Sequence, residues 1–280
     1  MSDSALILLA FLLPLVGAFG IVLCGRWPNL RETVTLVTAA LTGLTVIELY
    51  GRFQQGGLNV VQLAEPLPGL AVSFEIEPLG MLFALVASLL WFVTSVYAIG
   101  YMRGHGEANQ TRFYTMFAIA ISAALGVAFA GNLFTLFLFY EVLTISTYPL
   151  VAHAGTEKAR QGARTYLAIL LGTSIGLQLL AILITYAAAG TLDFRAGGIL
   201  AGKLDPAWAG LLLALFVFGI GKAAVMPYHR WLPAAMVAPT PVSALLHALA
   251  VVKAGVFTVL KVTTYIFGTD FITESNANDW

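Results

Sequence analysis

The chain has 280 residues, of which 59% are hydrophobic and only 10% charged, with 14 basic against 14 acidic side chains and a formal net charge of zero. Soluble domains carry about a quarter charged residues, so a water-solvated globule is excluded and lipid is the natural solvent. The balanced charge offers no footing for nucleic acid or another polyanion, and the single cysteine, Cys24, cannot form an intrachain disulfide.

Crossing the hydrocarbon layer takes roughly 20 apolar residues in a helix. Eight segments meet that length, at about 4–24, 33–50, 79–99, 113–130, 132–152, 164–188, 207–226 and 241–265. The predicted fold class is therefore all-α, a polytopic membrane protein of about eight transmembrane helices. The first segment lacks the basic start and the small-residue cleavage site of a signal peptide and reads as a retained helix. Between the second and third, Gly51 to Pro78 contains alternating runs, Asn59-Val60-Val61-Gln62 and Ala71-Val72-Ser73-Phe74-Glu75, which predict a short hairpin outside the bilayer. Only Gly131 and Asn132 separate the fourth and fifth segments, as in a tight helical hairpin. The seventh is interrupted by Gly219, Gly221, Pro227 and Pro233. Proline removes a donor and clashes with the preceding turn, so a broken helix is expected, and broken helices at membrane depth mark ion sites in transporters. Thr240 and Pro241 read as N-cap and first residue of the eighth helix.

Loop charge sets the expected orientation. Arg26, Arg31, Arg103, Arg112, Lys158, Arg160, Arg164 and Arg230 fall on one side of an eight-helix chain, and Arg52, Arg195 and Lys203 on the other. The positive-inside rule makes the first side cytoplasmic and places both termini opposite.

Three ionisable residues stand where lipid should exclude them. Glu141 is near the middle of segment five, and Lys222 sits beside the expected break. Lys253 is about 12 residues into segment eight, roughly 18 Å along the helix. Each such charge costs about 2.5–3.5 kcal/mol at a helix centre unless it finds a partner, water or a neutral state. A pairing of Glu141 with Lys222 whose separation can change would release a proton as the carboxylate withdraws. Lys253 would receive or pass it, with His247 as an intermediate because histidine titrates near neutrality. A static salt bridge between helices is the competing account. Lys261, near the far end of segment eight, either finishes such a path or snorkels to the interface, and snorkelling is the expectation. Gly219-Ile220-Gly221-Lys222-Ala223-Ala224 superficially matches a dinucleotide-binding pattern, but no strand precedes it. The sequence has no Cys-x-x-Cys pair, zinc-ligand spacing or nucleophile elbow, so neither metal, cofactor nor redox centre is expected in this chain.

The stretch from Gly219 to Gly255, GIGKAAVMPYHRWLPAAMVAPTPVSALLHALAVVKAG, resembles the antiporter-like subunits shared by Mrp-type cation/proton antiporters and the membrane arm of respiratory complex I. Tyr97-Ala98-Ile99-Gly100-Tyr101-Met102 and Phe139-Tyr140-Glu141 carry further likeness, and Val251 to Phe257 is most similar to the Mrp D type. The resemblance implies a unit of five helices, the fourth to the eighth, in which Glu141 pairs with Lys222 on the broken helix and Lys253 and His247 continue the path. It divides the chain into residues 1–112, three leading helices; 113–267, the five-helix unit; and 268–280, a polar tail. Such subunits usually have about fourteen helices, so a truncated or split subunit is expected, with another chain supplying the second half. The implied function is proton translocation in a multisubunit sodium/proton antiporter of a bacterial plasma membrane. A pumping subunit of NADH:quinone oxidoreductase, a membrane-bound hydrogenase or an inorganic-carbon uptake complex is the alternative. A third account is an inert scaffold, half of a full-length subunit.

Overall fold

A computed structural model describes residues 2–56, 60–67 and 69–275. The elements are α1 (Asp3–Leu23), α2 (Pro28–Gly56), β1 (Val61–Leu67), β2 (Leu70–Phe74), α3 (Pro78–Gly104), α4 (Gln110–Ala128), α5 (Leu133–Val151), α6 (Glu157–Ala189), α7 (Pro206–Gly219), α8 (Trp231–Ala235), α9 (Thr240–Phe267) and α10 (Thr269–Glu274). Seven of these helices are long and apolar enough to cross a membrane, and α7 is a shorter apolar helix. The chain is thus a polytopic α-helical membrane protein. α2, α3 and α6 extend several residues past the apolar stretches that announce them, α2 at both ends, because a helix can continue into the interface, where water and polar side chains satisfy its end groups.

α4 is buried along almost its whole length and packs against α1, α3 and α5. Its small residues allow that close approach: a side chain at Gly126 would occupy the ring of Phe139. The outer surface is instead apolar and exposed, with Phe19, Leu44, Ile47, Leu89 and Val93 among the residues presented to lipid.

Polar contacts gather at the two ends of the bundle, in the pattern that strict alternation of the helices requires. At one end, buried Glu32 of α2 pairs with Arg103 of α3, and Arg31 donates to Gln110 Oε1 of α4 at 2.7 Å. At the other, Arg52 pairs with Asp3 at 2.9 Å, and β1 and β2 form the expected antiparallel hairpin, with Val61 opposite Phe74. Asn132 joins that hairpin to the α4–α5 turn. Its Oδ1 accepts from Thr135 N at 2.8 Å as the α5 N-cap, while Nδ2 donates to Ala71 O at 2.7 Å and Ser73 Oγ at 2.8 Å. Asn132→Ala removes the cap and two tertiary bonds together and is expected to cost about 2 kcal/mol, read as a lowered unfolding midpoint of the purified chain in detergent.

Two local readings change. α9 begins one residue earlier than the sequence suggests: Pro239 occupies the N-cap position and Thr240 is already helical, with Pro241 still in the first turn, where the N–H it lacks would have had no helical partner. In the polar tail, Thr273 and Glu274 belong to α10, whereas residues 276–280 lie outside the described residues, as does Asn59 of the hairpin segment.

Candidate functional site

The break after α7 is built by close approach. α7 ends at Gly219, one 3-10 turn runs over Gly221–Ala223, and Ala224 has φ +56°. The chain passes Pro227 into a second short turn, Tyr228–Arg230, before α8. A side chain at Gly219 would strike the backbone of Gln178, where α6 carries a π turn over Ser174–Gln178. At Gly221 it would strike the Thr173 hydroxyl, and at Gly255 of α9 the backbone of Lys222 and Ala223. Glycine at these positions lets α6 and α9 close on the turn from two directions. Trp231 fixes it by donating from Nε1 to Gly221 O at 2.8 Å, and its ring stacks edge-on against Tyr166. Gly255→Val is expected to cost about 1–3 kcal/mol, as overpacking against rigid backbone does. A thermal-unfolding series of Gly255→Ala and Gly255→Val, with the larger residue worse, checks this.

Lys222 sits in the turn with no exposed surface. Its Nζ donates to Tyr140 O at 2.8 Å and to Thr144 Oγ1 at 2.5 Å, both on α5, and lies 3.1 Å from the Tyr140 ring centroid. The Tyr140 hydroxyl accepts from the Lys222 backbone N–H at 3.1 Å. The expected direct ion pair with Glu141 is not formed in this arrangement. Among the described residues no donor reaches either buried carboxylate oxygen of Glu141. The reason is helical geometry: neighbouring residues on α5 point about 100° apart, and the face that meets the lysine carries Tyr140 and Thr144, four residues apart, with Glu141 to one side. The break therefore holds an amine bound by neutral oxygens and an aromatic face, beside a carboxylate whose oxygens accept no hydrogen bond.

The remaining expected residues are not gathered around Lys222. His247 lies in a π turn of α9, half-buried, with Nε2 3.0 Å from Met236 Sδ. Lys253 has an exposed side chain and shares an outward stripe of α9 with exposed Val256 and Leu260. It faces away because the Ala254 and Gly255 side of the helix is the one small enough to meet the Lys222 turn.

Lys261 overturns the expectation of snorkelling. It is fully buried, with Nζ 3.0 Å from Glu77 Oε2, donating to Ala130 O at 2.7 Å and 4.1 Å from the Phe194 ring centroid. A carboxylate, a carbonyl and an aromatic face meet the ammonium within the fold, so it has no need to reach the interface. Glu77, at the N-cap of α3, escaped sequence reasoning, as did Tyr140 and Thr144. Glu77 lay in a loop segment, where a carboxylate signals nothing; only the buried lysine's need for a counter-charge could have pointed to it. Gln178, buried with both amide atoms unpaired, is another polar group of this interior that the sequence did not single out.

Residues 130–275 match the family described as NADH:quinone oxidoreductase/Mrp antiporter, transmembrane, and residues 69–114 match the N-terminus of chain 5 of complex I. A probable K(+)/H(+) antiporter component of the A/B type from Rhizobium meliloti is 31% identical over 210 residues, which cover 73% of this chain and 20% of the relative. An NAD(P)H-quinone oxidoreductase chain 5 from Synechocystis sp. is 33% identical over 201 residues, covering 69% and 29% respectively. Among solved structures, one chain of the Mrp complex from Dietzia sp. superposes with TM-score 0.79 at 24% identity, over 95% of this chain and 49% of its own. One chain of an archaeal membrane-bound sulfane sulfur reductase does so with TM-score 0.77 at 25% identity, over 90% and 52%. The protein thus spans about half the length of these structural relatives and less of the curated ones.

Proposed function

Because the chain belongs to the NADH:quinone oxidoreductase/Mrp antiporter family of membrane subunits, we propose that it carries the proton branch of a multisubunit monovalent cation/proton antiporter, with sodium as the cation. The observation that carries this reading is Lys222: a fully buried amine at a helix break, held by Tyr140 O and Thr144 Oγ1 and, among the described residues, by no direct counter-ion. Such an amine changes protonation with small changes in its surroundings. Approach of the Glu141 carboxylate holds the proton on Lys222, and withdrawal releases it. The break supplies the motion, since a turn between two helices shifts more readily than helix interior.

The path then runs through α9, by way of His247 and Lys253, and residues 113–267 form the transporting unit, with 1–112 flanking it and 268–280 as a tail. Lys253 shares its stripe with Val256 and Leu260, and a lysine at that depth is costly against lipid. The stripe suits a second membrane segment from a partner chain, which would place Lys253 at a subunit boundary. The arginine-rich end faces the cytoplasm of a bacterial cell, and the α1 N-terminus the opposite side. Lys261 and Glu77 lie at that opposite end and make the outer terminus of the path.

The likeness to chain 5 of NAD(P)H-quinone oxidoreductase favours a second reading, proton pumping driven by quinone reduction elsewhere in a complex. Inverted vesicles containing the assembled complex separate the two. Sodium should collapse an imposed pH gradient without any electron donor, whereas the second reading requires proton movement only when a donor and quinone are supplied.

A further inference from the structure

A pocket of about 420 Å³ opens between the start of α4, the end of α5 and the start of α6, at the arginine-rich end of the bundle. Arg112, Arg160 and Arg164 line it, together with His153, Glu107 and Asn109. We propose that this pocket binds a phosphate group, presented by an anionic phospholipid or free in solution. Neither Arg160 nor Arg164 is committed elsewhere: Arg160 has only a 3.9 Å approach to Glu157, and among the described residues no partner reaches the Arg164 guanidinium. Arg112 donates to His153 O at 3.2 Å with one nitrogen, which orients its fork toward the pocket.

His153 gives the pocket a built floor. It is 4% exposed, and neither ring nitrogen has a hydrogen-bond partner of ordinary geometry. Burial and the neighbouring Arg112 hold it below the usual histidine range, against the Glu107 charge and a weak backbone hydrogen bond to Ala108 that favour the charged form, and the N–H of the neutral ring has no partner of ordinary geometry to keep it from an oxygen ligand. Two helix N-termini add to the attraction, and α4 is the open one, since Asn109 makes no side-chain cap there. Glu107, with Oε2 3.9 Å from His153 Nε2, is the opposing charge. Three arginines outnumber it, and it limits affinity rather than reversing the sign of the site. The pocket lies level with the helix ends, the depth of phospholipid headgroups, and basic pockets between transmembrane helices are a recurrent way of holding them.

The test is thermal unfolding of the full chain in neutral detergent, titrated with phosphatidylglycerol, phosphatidylcholine or inorganic phosphate. Phosphatidylglycerol or inorganic phosphate should raise the midpoint by several degrees, with phosphatidylcholine giving little. Stabilisation by the lipid alone identifies the headgroup as the source, and stabilisation by inorganic phosphate identifies a soluble one. Arg160→Gln with Arg164→Gln, both on the surface, should weaken the response at least tenfold, and Glu107→Gln should strengthen it. A response equal in wild type and the double arginine variant, or no response to either phosphate source, overturns the proposal. Because no transport is measured, the outcome stands apart from the antiporter reading.

Discussion

Lys222→Ala is expected to reduce cation-driven proton movement by roughly a hundredfold, the low end of what a positioned proton-transfer group contributes, while lowering stability by about 2 kcal/mol, the cost of the cavity left by a fully buried side chain. The two halves of this expectation have separate origins. In the proposed mechanism transport depends on the amine of Lys222, which the turn buries, and alanine supplies none. The stability that remains depends on the other contacts of the turn. Trp231 still donates to Gly221 O, the Tyr140 hydroxyl still accepts from the backbone of residue 222, and Thr144 Oγ1 still bonds to Tyr140 O. Removing the amine orphans no buried charge of its own partners, because both are neutral oxygens. Glu141→Gln should act more mildly, about tenfold, since it removes a nearby charge and not a bonded one. Sodium-triggered collapse of a pH gradient in vesicles holding the assembled complex, with the unfolding midpoint measured alongside, checks both. Wild-type transport in Lys222→Ala removes Lys222 from the mechanism. A much larger loss of stability would instead mark it as a structural residue.

The helices were legible because lipid imposes one strong rule on them, and the broken one was legible because Gly219, Gly221 and Pro227 cannot be read as continuous helix. Lys222 was legible by the same logic, as a charge next to that break. What the sequence could not supply was direction around a helix axis when every face is apolar. α5 is hydrophobic on all sides, so no amphipathic pattern tells whether Tyr140, Glu141 or Thr144 faces the lysine. The same limit hid the outward orientation of Lys253, which depth along α9 alone cannot fix. Lys261 failed for a different reason. Its height near a helix end matched snorkelling, and its partner Glu77 lies 184 positions away in a loop, a pairing that only the packed fold creates.

Glu77→Ala should therefore destabilise the protein by roughly 3 kcal/mol, the cost of leaving one member of a buried pair unpaired. Lys261 has no exposed surface to which its ammonium could turn, and Ala130 O with the Phe194 ring cannot replace a full negative charge. Replacing both partners by apolar residues of similar size, Glu77→Leu with Lys261→Met, should recover most of that loss, because no charge then remains to be compensated. Only the Ala130 carbonyl is left without its donor, a cost of about 1 kcal/mol. The double variant also decides what the pair is for. If Glu77 and Lys261 merely join the start of α3 to α9, the double variant is stable and transports protons at the wild-type rate. If they form the outer end of the path, as proposed, it is stable and its transport falls about as far as that of Lys222→Ala. Unfolding midpoints and vesicle transport on wild type, Glu77→Ala and the double variant separate the two outcomes.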